Sequence, residues 1–352
     1  MKAARNTLLN PFLSVTLCVS AGALFDWLKT PLPWMIGPLV AMALLNFSGA
    51  RLRAPWGARQ VGQIIIGTAL GLYFTPVVAQ QVVSFWHLLL LAALLAILTA
   101  CVCAAFLSSV TDTDRTTAFF ASVPGGAAEM AVLADRFGAR VDRVAIAQSM
   151  RILAVVIVVP FVLTYSGVHG ADVYVPATSS LDWGQLALLL MIATAGAGAL
   201  ALMRAPNAFM LGALFSVITL TVYEVNFSEM PPVVSNIGQL LIGCALGARF
   251  ERSFLDRAPR FVAATLASIV LAICLAAVLG TSLAWAYGLP VPSVVLATAP
   301  GGIAEMCITA KVLQLGVPLV TAAHVTRVIV LVTGTGTLFR VARAIAEKYR
   351  KA

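Results

Sequence analysis

A seven-residue motif occurs twice in this chain, each time inside an apolar stretch long enough to lie in a membrane. Residues 124–130 have the sequence PGGAAEM, and residues 300–306 have the sequence PGGIAEM. A proline followed by two glycines interrupts a helix, because proline lacks a backbone donor and glycine has a low helix propensity. Non-helical backbone is tolerated at membrane depth only where protein or a water-filled cavity satisfies its polar groups. A break of this kind in each half of the chain indicates a site rather than a scaffold.

The similarity between the two halves extends over nearly the whole chain. Residues that recur at the same offset of 176 include Gln63 with Gln239, Arg151 with Arg327, and the GxxxG glycines Gly67 and Gly71 with Gly243 and Gly247. Residues 35–37 match residues 210–212 at an offset of 175, so the halves differ in length by one residue there. We therefore predict two membrane repeats, residues 1–176 and residues 177–352.

Composition indicates a polytopic helical membrane protein. Hydrophobic residues make up 61% of the chain and charged residues only 11%, which exceeds what the core of a soluble protein needs. The 23 Lys and Arg residues outnumber the 14 Asp and Glu residues, but they form short clusters between apolar segments. No region is large enough to be a DNA-reading domain, so no nucleic-acid partner is expected. The six cysteines and three histidines lack metal-ligand spacing. We expect no metal, no cofactor and no enzyme activity.

Each half reads as six apolar segments, and the fifth segment of each half carries the PGG motif. The segments are residues 8–27, 32–48, 60–80, 85–108, 115–135 and 143–165, followed by 181–203, 207–225, 232–249, 260–284, 293–315 and 318–340. Lys and Arg residues near the start could mark a signal peptide, but the first apolar segment matches the start of the second half. We therefore expect it to be retained as a span.

The distribution of arginines between the segments predicts an inverted topology. Residues 49–60 carry three arginines and their counterpart over 225–236 carries none, whereas residues 78–87 carry none and their counterpart over 249–260 carries four. Because the bias reverses between the halves, the repeats are predicted to cross the membrane in opposite directions. The predicted fold class is all-α, with about ten transmembrane helices, two opposed re-entrant PGG hairpins and both termini in the cytoplasm. Twelve plain spans are the alternative.

The two motifs supply the first candidate binding residues. These are Pro124, Gly125, Gly126 and Glu129 in the first half, and Pro300, Gly301, Gly302 and Glu305 in the second. Paired glycines bring bare N–H groups to a ligand at the start of a half-helix, where anions bind, while the loosened carbonyls before it favour cations. An acidic residue at membrane depth costs about 2–4 kcal/mol and commonly couples transport to a proton or cation. The alternative role for each glutamate is a structural helix cap.

Four further polar residues lie within apolar segments. Arg151 and Arg327 each follow the motif glutamate of their half by 22 residues. We expect them to pair with Glu129 and Glu305, or to face an anionic substrate directly. The amides of Gln63 and Gln239 are expected either to contact a ligand or to bond a neighbouring helix. A small organic anion is the leading substrate class.

The paired PGGxAEM motifs, the Gly-Gln segments with their GxxxG glycines and the near-complete duplication resemble the bacterial AbrB-type integral membrane family. Its members are commonly labelled regulators of gene expression or ammonia monooxygenases. The resemblance implies a multi-pass protein of the bacterial inner membrane. The oxygenase label fits these residues poorly, since they include no cluster for a redox metal. The opposed hairpins also look like those of secondary carboxylate transporters, by analogy of architecture alone.

Two functions are consistent with these features. The first is a secondary transporter or exporter of a small, anionic metabolite that works by alternating access, coupled to a proton or cation through Glu129 or Glu305. The second is a membrane-embedded sensor that regulates gene expression, either directly or through transport of a signalling metabolite. The expected partners are the lipid bilayer and a small-molecule or ion substrate. Assembly into a homo-oligomer is left open.

Overall fold

The apolar segments form α-helices in the computed structural model, which describes residues 2–168, 170, 180–225, 227–250 and 259–351. No β-strand occurs within those ranges. Their fifteen helices are α1 Lys2–Trp27, α2 Pro33–Phe47, α3 Ala58–Gly71, α4 Pro76–Ser84, α5 Trp86–Val110, α6 Arg115–Ser122, α7 Ala127–Arg136, α8 Val141–Tyr165, α9 Trp183–Leu202, α10 Ala208–Val222, α11 Pro232–Gly247, α12 Pro259–Tyr287, α13 Val291–Thr298, α14 Ile303–Leu313 and α15 Val317–Lys351. Arg252 and Arg257, used above to orient the second half, lie outside the described residues, as does most of the connection over 165–181.

Several of these helices have the length and composition of membrane spans. In the described ranges, α5, α8, α9, α12 and residues 317–334 of α15 each qualify, and α3 with α4 would make a sixth span. The shorter apolar helices are residues 11–27 of α1 together with α2, α10 and α11. The chain is therefore a multi-pass helical membrane protein. The count of ten full spans stays a prediction.

The segment predicted as one stretch over residues 60–80 is divided into two helices. Helix α3 ends at Gly71, α4 begins at Pro76, and their axes differ in direction by 94°. Pro76 cannot donate to a preceding turn, and the Thr75 side chain accepts a hydrogen bond from the backbone N–H of Val78 at 3.4 Å. These two residues start a new helix. The apolar segment predicted over residues 60–80 therefore consists of two helices that meet at a sharp bend.

The fifth segment of each half is interrupted at its PGG motif, as the sequence predicts. Helices α6 and α7 flank the first motif, and α13 and α14 flank the second. The second glycine of each motif is the N-cap residue of the following helix and has an extended backbone, with φ −68° and ψ 137° at Gly126 and φ −81° and ψ 161° at Gly302. Each break therefore places a new helix N-terminus in the interior of the protein.

Glycines allow the helices around the breaks to cross closely. A Cβ atom on Gly62 of α3 would lie 2.7 Å from the carbonyl oxygen of Gly238 in α11, and one on Gly67 would lie 2.7 Å from the carbonyl oxygen of Met210 in α10. The later glycine of the second GxxxG pair, Gly247, approaches the backbone of α2 in the same way. These glycines are therefore sites of close contact between helices.

The turns that lead into α2 and α10 share an unusual backbone conformation. Lys29 and Leu32 have φ values of 52° and 51° before α2, and Arg204 and Asn207 have φ values of 55° and 50° before α10. A left-handed conformation is uncommon for residues other than glycine, although asparagine adopts it more readily than most. The second turn places Asn207 at the start of α10, beside the first PGG break.

Candidate functional site: the cavity between the two broken helices

A cavity of about 70 Å³ lies between the two PGG breaks, which we call the inner cavity. It has room for a few water molecules, since a single water requires about 10–15 Å³ on the same measure. Its polar lining consists of Arg59, Gln63, Glu129, Arg151, Asn207, Glu305 and Arg327, together with backbone of Gly125, Gly126, Gly301 and Gly302. The two halves of the chain thus contribute their breaks to one space.

Most of the residues nominated from the sequence line the inner cavity. The two exceptions are Pro300 and Gln239. Pro300 lines a smaller cavity of about 20 Å³ between α5 and α12, which Pro124 and Arg327 also border. Gln239 is buried, and its amide donates a hydrogen bond to Oδ1 of Asn236 in the same helix at 3.4 Å. Gln63 and Gln239 therefore occupy matching sequence positions but different surroundings.

Each buried arginine is hydrogen-bonded to the backbone of the break in its own half. Arg151 donates from Nη1 to the carbonyl oxygen of Val123 at 2.8 Å and from Nη2 to that of Gly125 at 3.0 Å. Arg327 donates from Nη1 to the carbonyl oxygen of Ala299 at 2.6 Å and from Nη2 to that of Gly301. The two arginines are only 5% and 3% exposed. They satisfy carbonyl groups that the interrupted helices leave without intrahelical partners.

The predicted pairing of these arginines with the motif glutamates is wrong. Within the part of the chain that the structure describes, no salt bridge within 4.0 Å joins Arg151 or Arg327 to Glu129 or Glu305. The arginines bond carbonyl oxygens rather than the glutamate carboxylates because α8 and α15 place each guanidinium beside the end of the preceding half-helix. Buried carbonyl groups at that end need hydrogen-bond donors. The Nε atoms of Arg151 and Arg327 remain buried without a hydrogen-bond partner.

The glutamates instead fold back over the second glycine of their own motif. A Cβ atom on Gly126 would overlap the carboxylate of Glu129, and a Cβ atom on Gly302 would overlap the carboxylate of Glu305. Each carboxylate thus lies at the N-terminus of the helix that begins after its break, where the helix dipole favours a negative charge. The cap role and the coupling role of each glutamate both stay predictions.

The first glycine of each motif is required by the methionine that ends the motif. A Cβ atom on Gly125 would lie 2.6 Å from Cε of Met130, and one on Gly301 would lie 2.6 Å from Cγ of Met306. Both methionine side chains are fully buried. The spacing from the glycines to the Glu-Met pair is therefore a local packing relationship, since side chains of the first helical turn occupy the space that the glycines leave open.

The two breaks direct helix N-termini toward the same cavity. Helices α7 and α14 begin at Ala127 and Ile303, and both residues line the inner cavity beside their N-cap glycines. The first N–H groups of a helix have no partner within it and carry a partial positive charge. Two such termini with two buried guanidinium groups create an environment suited to an anion.

The two halves of the site differ in their exposure. Glu129 is half-buried, whereas Glu305 is only 7% exposed. A wider outer chamber of about 290 Å³ adjoins the first break and is lined by Arg59, Gln63, Glu129, Arg204 and Asn207. All of these except Arg204 also line the inner cavity. The inner cavity is thus bordered by a chamber on the side of the first motif.

Gln63, Asn207 and Glu129 form the boundary between the outer chamber and the inner cavity. The Gln63 amide donates to Oδ1 of Asn207 at 2.8 Å. The backbone N–H of Asn207 donates to Oε1 of Glu129 at 3.4 Å. These contacts connect the second half of the chain to the first across the entrance.

Arg249 adds a positive charge near this boundary. Burial and the neighbouring charge of Arg59 lower the pKa of the Arg249 guanidinium to about 10, against the opposing effect of Glu305 and Glu129. With a pKa of about 10 it is still charged at neutral pH. Arg249 follows α11, so it lies outside the apolar helix.

Sequence analysis did not nominate Asn207, Arg59 or Arg249 as site residues. One sequence feature could have pointed to Asn207: it is polar, whereas its counterpart at an offset of 175, Leu32, is apolar. Arg59 and Arg249 were interpreted only as loop charges that set the orientation. Their proximity to the motif glutamates depends on how α3 and α11 cross, which sequence spacing does not reveal.

A further difference between the halves lies next to each arginine. The amide Nε2 of Gln148 donates to the carbonyl oxygens of Phe120 and Val123 at 2.8 and 2.9 Å. At the matching position in the second half, Nε2 of His324 lies 3.1 Å from the carbonyl oxygen of Leu296. Both side chains are fully buried and hold the end of the half-helix that precedes a break. The two breaks therefore have similar supports of different chemistry.

Nearly the whole chain is similar to known proteins. Residues 6–343 match the AbrB family model, described as "Transition state regulatory protein AbrB". A Bacillus subtilis (strain 168) protein named "Uncharacterized protein YhjN" is 26% identical over 356 residues, covering 92% of this chain and 91% of the relative. An Escherichia coli (strain K12) protein named "Putative regulator AbrB" is 25% identical over 327 residues, covering 91% of this chain and 92% of the relative.

Proposed function

The chain belongs to the AbrB family, and from this premise we propose that it is a secondary transporter of a small anionic metabolite that works by alternating access. Its two halves are inverted repeats, each with one re-entrant PGG hairpin, and the hairpins meet at the inner cavity. Ten full spans complete the proposed topology, with both termini in the cytoplasm of a bacterial cell. Twelve plain spans are the alternative.

The observation that carries this proposal is the convergence of both motifs on one cavity. Broken helices whose N-termini face a common space are the usual way for a transporter to bind an anion within the membrane. Here α7 and α14 begin beside the same cavity, although their motifs are 176 residues apart in the sequence. A scaffold that only needs kinked helices has no requirement for the two breaks to meet.

The charge of the lining favours an anionic substrate. Arg59, Arg151 and Arg327 line the inner cavity with Glu129 and Glu305, which leaves one excess positive charge when both carboxylates are ionised. Neutralising either glutamate increases that excess. Arg204 and Arg249 extend the positive potential toward the outer chamber, where it raises the local concentration of anions.

Local geometry supports the inverted-repeat topology. Arg151 and Arg327 bond equivalent carbonyls of their breaks, and the turns before α2 and α10 have matching left-handed residues. The outer chamber lies beside Arg59 and Arg204, on the face where basic loops indicate cytoplasm. We infer that this conformation opens toward the cytoplasm, with Glu305 enclosed and Glu129 nearer to the chamber.

Regulation of gene expression is the second candidate function. The observation that favours it is the name of the E. coli relative, "Putative regulator AbrB". A transporter that changes the level of a signalling metabolite would produce a regulatory phenotype without contacting DNA. Deletion of the residues after Ala346 separates the two candidates, because a direct sensor would lose regulation while anion flux is retained.

Thiol accessibility at the two breaks tests the proposed function. Ala127→Cys and Ile303→Cys are introduced separately into a chain without its six native cysteines, and a membrane-impermeant maleimide is applied to intact cells and to inside-out vesicles. Alternating access predicts that each position reacts from both sides. Ala284→Cys, fully buried away from the cavity, is the control and should react from neither side. If neither cavity position reacts, the glycines are packing devices and the transporter proposal fails.

A further inference from the structure

The carbonyl oxygens released by the two helix breaks already have cationic partners. Val123 and Gly125 accept hydrogen bonds from Arg151 at 2.8 and 3.0 Å. Ala299 and Gly301 accept hydrogen bonds from Arg327, the first at 2.6 Å. Each guanidinium therefore bridges the end of the helix before the break and the extended residues of the break itself.

These carbonyl groups are the ones that a metal cation would need. In transporters with broken helices, unwound carbonyls and half-helix C-termini coordinate the coupling Na⁺. A hard cation such as Na⁺ binds oxygen atoms, and it must replace its hydration shell with several of them. In both halves of this chain, a guanidinium held on the protein occupies two of those oxygens, and its charge repels another cation at close range.

We propose that Arg151 and Arg327 act as tethered cations in place of a coupling metal ion, so that the transported anion is coupled to a proton carried by Glu129 or Glu305. This inference rests on the proposed transport function and names its coupling ion. The arginines stay charged throughout the cycle, because a guanidinium does not lose its proton in proteins at physiological pH. The exchangeable charge must then be on the carboxylates.

The two motif glutamates are the carboxylates that line the inner cavity. Glu129 lines the outer chamber with Arg59 and Arg204 and accepts a hydrogen bond from the backbone N–H of Asn207. The charge of Arg249 interacts with both Glu305 and Glu129. Glu305 shares the inner cavity with Arg151 and Arg327. Each carboxylate lies in the first turn of its helix, and its neutralisation would break no salt bridge to Arg151 or Arg327.

The charge balance of the step is simple. One carboxylate accepts a proton and becomes neutral, and the positive charge of the arginines that it no longer offsets is balanced by the bound anion. For a monovalent anion, the proton and the anion then move together without net charge. No bond other than that between the proton and a carboxylate oxygen forms or breaks.

The test uses the full chain in phosphatidylethanolamine and phosphatidylglycerol vesicles that contain a pH-sensitive dye. Acetate, lactate, succinate and phosphate are applied in turn, with Na⁺ and K⁺ replaced by N-methylglucamine. We expect at least one anion to produce proton flux that persists without Na⁺ or K⁺. Flux that requires Na⁺ and ignores a pH gradient would overturn the inference while leaving the transporter intact. No flux for any anion under either gradient would contradict both proposals.

Variants of the arginines and glutamates test the inference independently of the substrate. Arg151→Ala frees the carbonyl oxygen of Gly125 and removes one of the donors to that of Val123, and we expect its melting temperature in detergent to rise when choline chloride is replaced by NaCl. The wild-type chain and the exposed control Arg136→Ala should show no such shift. A folded Arg151→Ala variant without a Na⁺ response would contradict the tethered-cation role. If the alanine variant does not fold, Arg327→Ala provides the same measurement at the second break. Where flux is found, Glu129→Gln with Glu305→Gln should abolish its proton coupling, and Asp26→Asn should not.

Discussion

The Nη1 atom of Arg151 lies 2.8 Å from the carbonyl oxygen of Val123, and this contact ties α8 to the last residues before the first helix break. It is repeated by Arg327 and Ala299 at the second break. An arginine that faces backbone rather than a carboxylate is a support for the interrupted helix. The motif glutamates are thereby left available at the cavity.

We expect Arg151→Gln to destabilise the protein more than Glu129→Gln does. Loss of the guanidinium leaves the carbonyl of Gly125 without its donor, at a cost of about 1–3 kcal/mol, whereas that of Val123 keeps the amide of Gln148. Glu129 is in no salt bridge that its neutralisation would break. Thermal unfolding in detergent measures both variants and the double variant. A double-mutant cycle should give a coupling below about 0.5 kcal/mol. A coupling energy of several kcal/mol would indicate an ion pair between Arg151 and Glu129 and would contradict this prediction.

We expect Gly126→Ala to displace the Glu129 carboxylate and lower stability by about 1 kcal/mol, the low end of the usual cost of overpacking, because the overlapped atoms are the end of a flexible side chain. The backbone conformation of Gly126 suits alanine, so the effect comes from the Cβ atom alone. Gly198→Ala in α9 is the matched control, because a Cβ atom there meets nothing within 4 Å. It should be neutral or slightly stabilising, since alanine is the better helix former. Equal melting temperatures for the two variants would refute the predicted overlap.

We expect Asn207→Gly to open the boundary between the outer chamber and the inner cavity. Glycine preserves the left-handed backbone at φ 50° and removes the hydrogen bond with Gln63. Maleimide modification of Ala127→Cys should then accelerate several-fold from the chamber side. The free energy needed to open the boundary falls by about the net contribution of one hydrogen bond. Gln239→Ala, at the counterpart of Gln63 but outside the cavity, is the control. Unchanged modification kinetics in Asn207→Gly would show that the bridge does not limit access.

The six native cysteines should differ in which maleimide reagents they react with. Cys101 and Cys274 are exposed on the long apolar helices α5 and α12, so they face lipid in a membrane. A hydrophobic maleimide should label these two in intact membranes, and a charged maleimide should not. The buried thiols Cys18, Cys103, Cys244 and Cys307 should react with neither reagent before unfolding. Mass spectrometry of labelled peptides measures this pattern, and charged-reagent labelling of Cys101 or Cys274 would place them in water.

The sequence predicted the features that depend on short-range chemistry. Apolar composition requires helices, because a membrane leaves no other way to satisfy the backbone of these segments. A proline with two glycines interrupts a helix wherever it occurs, and both motifs do so. The relationship of Gly126 to Glu129 is also local, since the two residues are three positions apart in the sequence, within one helical turn. Duplication of the motif made its position in each half predictable.

The hydrogen-bond partners of the buried polar side chains depend on the tertiary structure. Arg151 selects carbonyls near Val123, 28 residues earlier in the sequence, because helix packing brings its guanidinium there and not to Glu129. Asn207 reaches the first break from the other half of the chain through the turn before α10. Sequence spacing describes contacts within a helix turn, whereas contacts between helices depend on crossing geometry set by many small packing interactions. The physical range of each interaction thus separates what the sequence determined from what the fold decided.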